Sequence, residues 1–223
     1  MLVCRNVEYV KIAKFAISSF LKFNKDYKIV LHADKSLAKS CKRILALFPS
    51  SRLELLVDIP SSGYPYEIKG ELILKLQGTH DIFLDVDTRT NGPLPQVQSP
   101  LTLVAEFRMK DNVNFKRILT ELGQEKFENC FLLNVTLVCW GGKDMKITIE
   151  EFKSWSEDYS SINWEGFLEP DQISYFKRFV EQIFFSIKFQ TGNFQVLKQS
   201  DFVGDKGLVE SSYFGASGYR FGR

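Results

Sequence analysis

The residues best suited to chemistry are Asp85 and Asp87, in the stretch Thr-His-Asp-Ile-Phe-Leu-Asp-Val-Asp-Thr-Arg-Thr at positions 79–90. A short apolar run, Ile82 to Leu84, stops on two carboxylates at i and i+2. Such a run reads as a buried strand, and polar groups at its carboxyl end sit where open α/β sheets bind ligands. Two carboxylates this close repel unless a cation neutralises them, and hard oxygen donors suit Mg²⁺ or Mn²⁺. A diphosphate could complete the coordination of such an ion. Twelve aspartates make a D-x-D by accident easy in this chain; the strand before the pair, and the helical segment before that, distinguish this one.

The elements that must position the pair follow from periodicity. Leu2 to Cys4 reads as a short strand. Tyr9, Ala13, Ala16, Ile17, Phe20 and Leu21 recur at helical spacing, with Lys11, Lys14, Ser18 and Lys22 on the opposite face. Lys28 to His32 reads as a strand, Leu37 to Phe48 as a helix ended by Pro49, and Leu53 to Val57 as a third strand. Glu67 to Gln77 reads as a helix despite Gly70, which costs about 1 kcal/mol relative to Ala. Beyond the aspartates come strands at Leu101 to Ala105 and Phe131 to Cys139, with a helix near Asn114 to Leu122 between them. Thr148-Ile149-Glu150-Glu151 fits a capping box opening a helix, and Asp171 to Phe185 reads as one aromatic-rich helix. The tail, 204–223, holds five glycines among Tyr213, Phe214, Tyr219 and Phe221 and reads as a loop. Alternating strands and helices in the first half predict a parallel sheet in a single α/β domain spanning 1–223.

Composition narrows the function. A formal charge of +2 argues against a dedicated nucleic-acid binder. No apolar stretch reaches the roughly 18 residues of a membrane span, and charge arrives within five residues of Met1, unlike a secretory signal. Cys4, Cys41, Cys130 and Cys139 lack C-x-x-C spacing and read as reduced thiols of a cytoplasmic protein. His32 and His80, the only histidines, lie far apart, so zinc is not expected. The aromatic stripe of Tyr175, Phe176, Phe179, Phe184, Phe185 and Phe189 reads as core.

The order strand, helix, strand, helix, strand, D-x-D resembles the GT-A nucleotide-sugar glycosyltransferases, and several details are similar to the glycogenin-type retaining family. The opening has Asn6, Tyr9, Lys11, Ala13 and Ser18-Ser19 at matching spacings. Lys69 stands sixteen residues before Asp85, and Asp85-Val86-Asp87-Thr88 matches the family's D-x-D-T. Asn134 in Leu-Leu-Asn-Val-Thr-Leu and Asp171-Gln172 after Pro170 resemble its later Asn and Asp-Gln motifs. The resemblance implies a GT-A (Rossmann-like) fold, a mixed and mostly parallel sheet flanked by helices. It further implies transfer of a sugar, with retention, from a UDP-sugar to a hydroxyl of a glycan, lipid-linked or protein acceptor. It assigns nucleotide and donor contacts to Asn6, Tyr9 (against uracil), Lys69, Asp85 and Asn134, the cation (Mn²⁺ or Mg²⁺) to Asp85 and Asp87, and catalysis to Asp171 and Gln172.

One departure stands out. The family's C-terminal H-x-x-G-x-x-K-P-W supplies a third metal ligand and a diphosphate lysine; here Ser212 replaces the His and Gly218 the Lys, while Gly215 is kept. Either donor oxygens and water complete the metal shell or a residue such as Asp205 or Glu210 helps, and Lys206 or Arg220 supplies the positive charge. Residues 204–223 are then a tail folding over the donor, with Arg220 on its diphosphate. Three other functions are weighed. A degenerate sugar-nucleotide-binding scaffold would keep the fold without turnover. A haloacid-dehalogenase-type phosphatase also ends a strand in D-x-D, but wants Thr or Val where Arg89 stands. A nucleotidylyltransferase would need a Gly- and Arg-rich loop where Arg5-Asn6-Val7-Glu8 lies.

Overall fold

A computed structural model of the chain describes residues 2–3, 7–90, 92–93, 101–140, 145–192, 195–197 and 209–211. The chain forms two compact units: Met1–Gly63 with Phe83–Gln96 and Ser200–Arg223, and Tyr64–Ile82 with Val97–Gln199.

In the first unit, β1 (Leu2–Val3), β2 (Ile29–Asp34) and β3 (Leu53–Ile59) form a parallel sheet in that order, with Leu2 opposite His32 and Ile29 opposite Leu53. β2 is central and buried almost throughout, as a strand covered on both faces must be. Helix α1 (Val7–Phe23) links β1 to β2, and α2 (Ala38–Leu45) links β2 to β3. Two right-handed crossovers advancing in one direction put both helices on the same face of the sheet, where they pack together. α1 buries Val10, Ile12, Ala13, Ala16, Ile17 and Phe20. The small alanines in that face let the helix lie close to its neighbours. β2 and β3 each run two residues past the spans expected from sequence, and α2 stops at Leu45 instead of reaching Phe48.

The same unit holds most of β4 (Ile82–Leu84), then β5 (Thr88–Thr90) and β9 (Val209–Ser211). β5 and β9 pair antiparallel, Thr88 with Ser211, Arg89 with Glu210 and Thr90 with Val209. The tail was expected to be loop alone; a strand enters it here because β5 offers a partner that local composition does not reveal. The remainder of the tail lies outside the described residues.

The second unit contains α3 (Pro65–Leu76), β6 (Leu101–Arg108), α4 (Val113–Glu121), β7 (Phe131–Cys139), α5 (Ile149–Ser160), α6 (Pro170–Phe176), α7 (Val180–Thr191) and β8 (Gln195–Leu197). β6 pairs antiparallel with β7 and parallel with β8, so this sheet is mixed. α7 is buried nearly all round and packs on β7. Its Ser186 hydroxyl accepts the Leu133 N–H at 2.7 Å, and Gln190 both accepts from the Phe131 N–H and donates to the Phe131 carbonyl. These two polar side chains, one turn apart, tie α7 to backbone groups of β7.

The aromatic stripe is core as expected: Phe176 and Phe179 join Phe115, Tyr159 and Trp164 in one cluster, and Phe152 packs on Phe184 and Phe185. Tyr175 is the exception, being exposed. The helix expected over 171–185 is instead α6, a tight 3₁₀ turn at Lys177–Phe179, and α7. The capping box forms as read, with the Thr148 hydroxyl accepting the Glu151 N–H and Glu151 accepting the Thr148 N–H.

Candidate functional site

The first unit presents Asp85 and Asp87 on a turn. Phe83 and Leu84 anchor β4 in the core, and the chain then leaves the strand at Asp85. The Asp85 carbonyl accepts both the Thr88 N–H, at 3.3 Å, and the Thr88 hydroxyl, at 2.5 Å. Thr88 is fully buried, so the threonine that follows the acidic pair is a clasp holding the turn in shape. Val86 is buried while the aspartates on either side of it are partly exposed. That alternation anchors the turn through its middle and leaves two carboxylates within reach of solvent.

α1 is fastened to this turn through β5. The Thr90 N–H donates to the Ser19 hydroxyl at 3.1 Å, and that hydroxyl donates to the Ala16 carbonyl at 3.0 Å. Of the Ser18-Ser19 pair, Ser19 therefore has a structural task and Ser18 is exposed. Tyr9, in the first turn of α1, is half-buried on the same unit. On the other side of β5, β9 carries Glu210, one of the residues considered as an extra metal ligand, into register opposite Arg89. The first unit thus brings together the helix of Tyr9, the Asp85–Asp87 turn and the strand from which the C-terminal tail continues.

The donor set suits a hard divalent cation: two carboxylates, partly solvated, held by a hydrogen-bonded turn. Two side chains alone would not fill an octahedral shell, so water or ligand oxygens would have to supply the rest. Among the described residues no group of three or more His, Cys, Asp or Glu side chains is placed to hold a metal. His32 is buried with its Nδ1 2.9 Å from Asp58, and His80 lies against Thr79, so neither histidine joins such a group. Cys41, Cys130 and Cys139 are free thiols. Burial is the main cause that pushes Cys41 up to about 11 and Cys139 up to about 12, out of the reactive range.

Four other candidates belong to the second unit. Lys69 is buried in α3, its ammonium 3.7 Å from the carboxylate of the fully buried Glu181. Asn134 lies mid-strand in β7 and accepts a hydrogen bond from the Thr136 hydroxyl. Asp171 and Gln172 are exposed in the first turn of α6, after Pro170 at its start. Asn6, Arg220, Asp205, Lys206 and Ser212 lie outside the described residues.

The sequence reading passed over Glu181-Gln182. It is a second acidic-Gln pair at a helix start, ten residues after Asp171-Gln172. The signal that could have found it is hydrophobic context: a glutamate inside Phe-Val-Glu-Gln-Ile-Phe-Phe must be buried, and a buried carboxylate requires a cation.

Comparison with solved structures shows the fold. Over 97% of this chain and 87% of the other, the protein matches the galactosyltransferase LgtC, solved with donor and acceptor sugar analogs, at a TM-score of 0.57 and 12% identity. An active-site glutamine-to-glutamate mutant of LgtC matches over 90% of this chain and 73% of that one, at a TM-score of 0.53 and 14% identity. The chain has the α/β GT-A fold of that glycosyltransferase. No protein-family model matches the sequence, and no curated protein matches it. Among the described residues no helix is long and apolar enough to cross a membrane.

Proposed function

We infer that the chain is a glycosyltransferase that moves a sugar from a UDP-sugar donor to an acceptor hydroxyl, using Mn²⁺ or Mg²⁺ held by Asp85 and Asp87. One observation carries the reading: in a GT-A fold, two partly exposed carboxylates close a buried strand on a clasped turn, with the helix of Tyr9 fixed beside it. A bound cation would stabilise the charge that develops on the departing diphosphate. The chain's own residues hold that geometry. Asp85 and Asp87 offer the cation oxygens, Tyr9 offers an aromatic face to uracil, and β9 carries the tail, with Arg220 as its diphosphate contact.

Retention, and donor contacts from Asn6, Lys69 and Asn134, rest on resemblance to the glycogenin-type family. The acceptor is a glycan, a lipid-linked sugar or a protein, and the free thiols suit a cytoplasmic setting. The entire chain, 1–223, is one catalytic domain in this reading. The resemblance gives the acidic-Gln role to Asp171 and Gln172, which would orient the acceptor or steady the cationic sugar. The Lys69–Glu181 pair supports a second assignment, in which Glu181-Gln182 takes that role because it meets the donor lysine. The GT-A fold gives no support to a phosphatase.

The test is UDP release from a panel of UDP-sugars with Mn²⁺ and with EDTA. Asp87→Asn should abolish the metal-dependent release while leaving the fold intact. UDP binding without release from any donor would establish the scaffold instead. Equal turnover in EDTA would remove the metal from the proposal. Asp171→Asn and Glu181→Gln, compared in the same assay, separate the two acidic-Gln assignments.

A further inference from the structure

We propose that the outer face of α1 and α2 docks the protein on an anionic lipid surface. The chain is electrically lopsided: residues 1–63 carry eleven Lys and Arg against five Asp and Glu, while residues 64–223 carry eighteen against twenty-two. A formal charge near neutrality hides this division. Such asymmetry is what charge-driven association with a polyanionic partner requires.

The fold collects the positive charge on one face. At 100° per residue, Val7, Lys11, Lys14, Phe15, Ser18 and Lys22 all fall within an arc of about 100° on α1, opposite the buried Val10, Ile12, Ala13, Ala16, Ile17 and Phe20. On α2, Lys39, Lys42 and Arg43 share a similar arc opposite the buried Cys41. Because both helices cover the same side of the sheet and pack together, their two basic stripes lie on one layer. Lys11 is partly offset by its 2.7 Å pair with Glu8; Lys14, Lys22, Lys39, Lys42 and Arg43 are exposed.

Apolar side chains among these cations select the partner. Leu47, just past α2, is 59% exposed, and Val7 and Phe15 on the α1 stripe are 54% and 50% exposed. A face that mixes lysines with Leu, Val and Phe suits the boundary between headgroups and acyl chains, where the cations meet lipid phosphates and the apolar groups leave water. An acidic peptide or a nucleic acid would use the charges but leave those apolar groups without a role. The inference stands independently of the transferase reading.

Co-sedimentation of the full chain with phosphatidylcholine vesicles, with and without phosphatidylserine, tests it. Binding should require the anionic lipid and fall steeply with salt. Lys39→Glu/Lys42→Glu/Arg43→Glu should lower the bound fraction at least about tenfold, since each cation near the surface contributes. Lys14→Glu/Lys22→Glu on the other helix should do the same, and Leu47→Ala should weaken binding a few-fold. Circular dichroism and turnover of a soluble donor should be unchanged in these variants. Absence of wild-type binding to anionic vesicles, or binding of both charge variants at the wild-type level, overturns the proposal. So does tighter binding to RNA or to an acidic peptide, unaffected by Leu47→Ala.

Discussion

Replacing Glu181 with Gln isolates a buried ion pair, that of Glu181 with Lys69. The Glu181 side chain is fully buried and that of Lys69 is 11% exposed, with 3.7 Å between ammonium and carboxylate. At that separation two unit charges attract by about 4 kcal/mol at an effective dielectric of 20. Removing one partner of such a pair leaves the other charge buried and costs about 3–5 kcal/mol. With a urea slope of about 1–3 kcal/mol/M, the unfolding midpoint should fall by at least about 1 M, with the slope unchanged. Replacing both partners, as Lys69→Met/Glu181→Leu, should recover most of that loss, because an apolar pair of similar volume avoids the desolvation cost. The double variant then separates stability from function. If Lys69 also meets the donor, the protein folds normally yet its donor KM stays high. A loss below about 1 kcal/mol for Glu181→Gln would refute the reasoning, since the pair could not then be buried and formed in solution.

Other substitutions probe the helix contacts and the nucleotide face. A Cβ on Gly70 would sit 2.2 Å from the Phe152 ring, which is itself locked against Phe184 and Phe185; Gly70→Ala should therefore destabilise by about 1–3 kcal/mol despite its better helix propensity, and adding Phe152→Leu should restore part of the loss in urea denaturation. The Lys188 ammonium at 2.6 Å, followed by the Thr148 N–H, lowers the Glu151 carboxyl below its usual value. A depressed folded-state value means stability that is present above the unfolded carboxylate range, about 4.3, and lost as pH falls through the folded value. Glu151→Gln should cost no more than about 1 kcal/mol at pH 7, given the exposure of the pair, and nothing once both states are protonated; an equal cost at low pH would contradict this. Tyr9→Ala should weaken UDP binding about tenfold or more, the worth of a base–aromatic stack of 1–3 kcal/mol, with Tyr9→Phe near wild type by calorimetry.

Gly70 shows what helix propensity alone leaves out of the reading of α3. Propensity counts the lost Ala at that position and nothing else, whereas the structure uses the missing Cβ to admit the Phe152 ring. Elements whose signals are local were legible: the Phe131–Cys139 strand has the span read from its apolar run, and the Thr148 capping box closes as its four residues specify. β9 was not legible, because its partner β5 lies more than a hundred residues earlier and the tail's own glycines argue for loop. The break at Lys177–Phe179 was hidden for a related reason. Aromatic periodicity continues through it, so the pattern reads as one helix although the backbone tightens to a 3₁₀ turn.

The two acidic-Gln pairs carry this distinction into the site. Asp171-Gln172 follows a proline at a helix start, where a carboxylate gains from the unpaired N–H groups and needs no other reason to be there. Local chemistry therefore makes it the conspicuous candidate. Glu181 also stands in the first turn of its helix, but unlike Asp171 it is fully buried: a glutamate charge among aromatic side chains is costly unless something offsets it, and Lys69 does. A residue kept against its local preference is better evidence of a task than one its position would favour anyway. The Asp85–Asp87 turn meets the same standard. Two carboxylates share a short turn that buried Val86 and Thr88 hold in place, the arrangement that the proposed cation would use. By that measure the first substitutions worth making are at Asp87 and Glu181, ahead of Asp171.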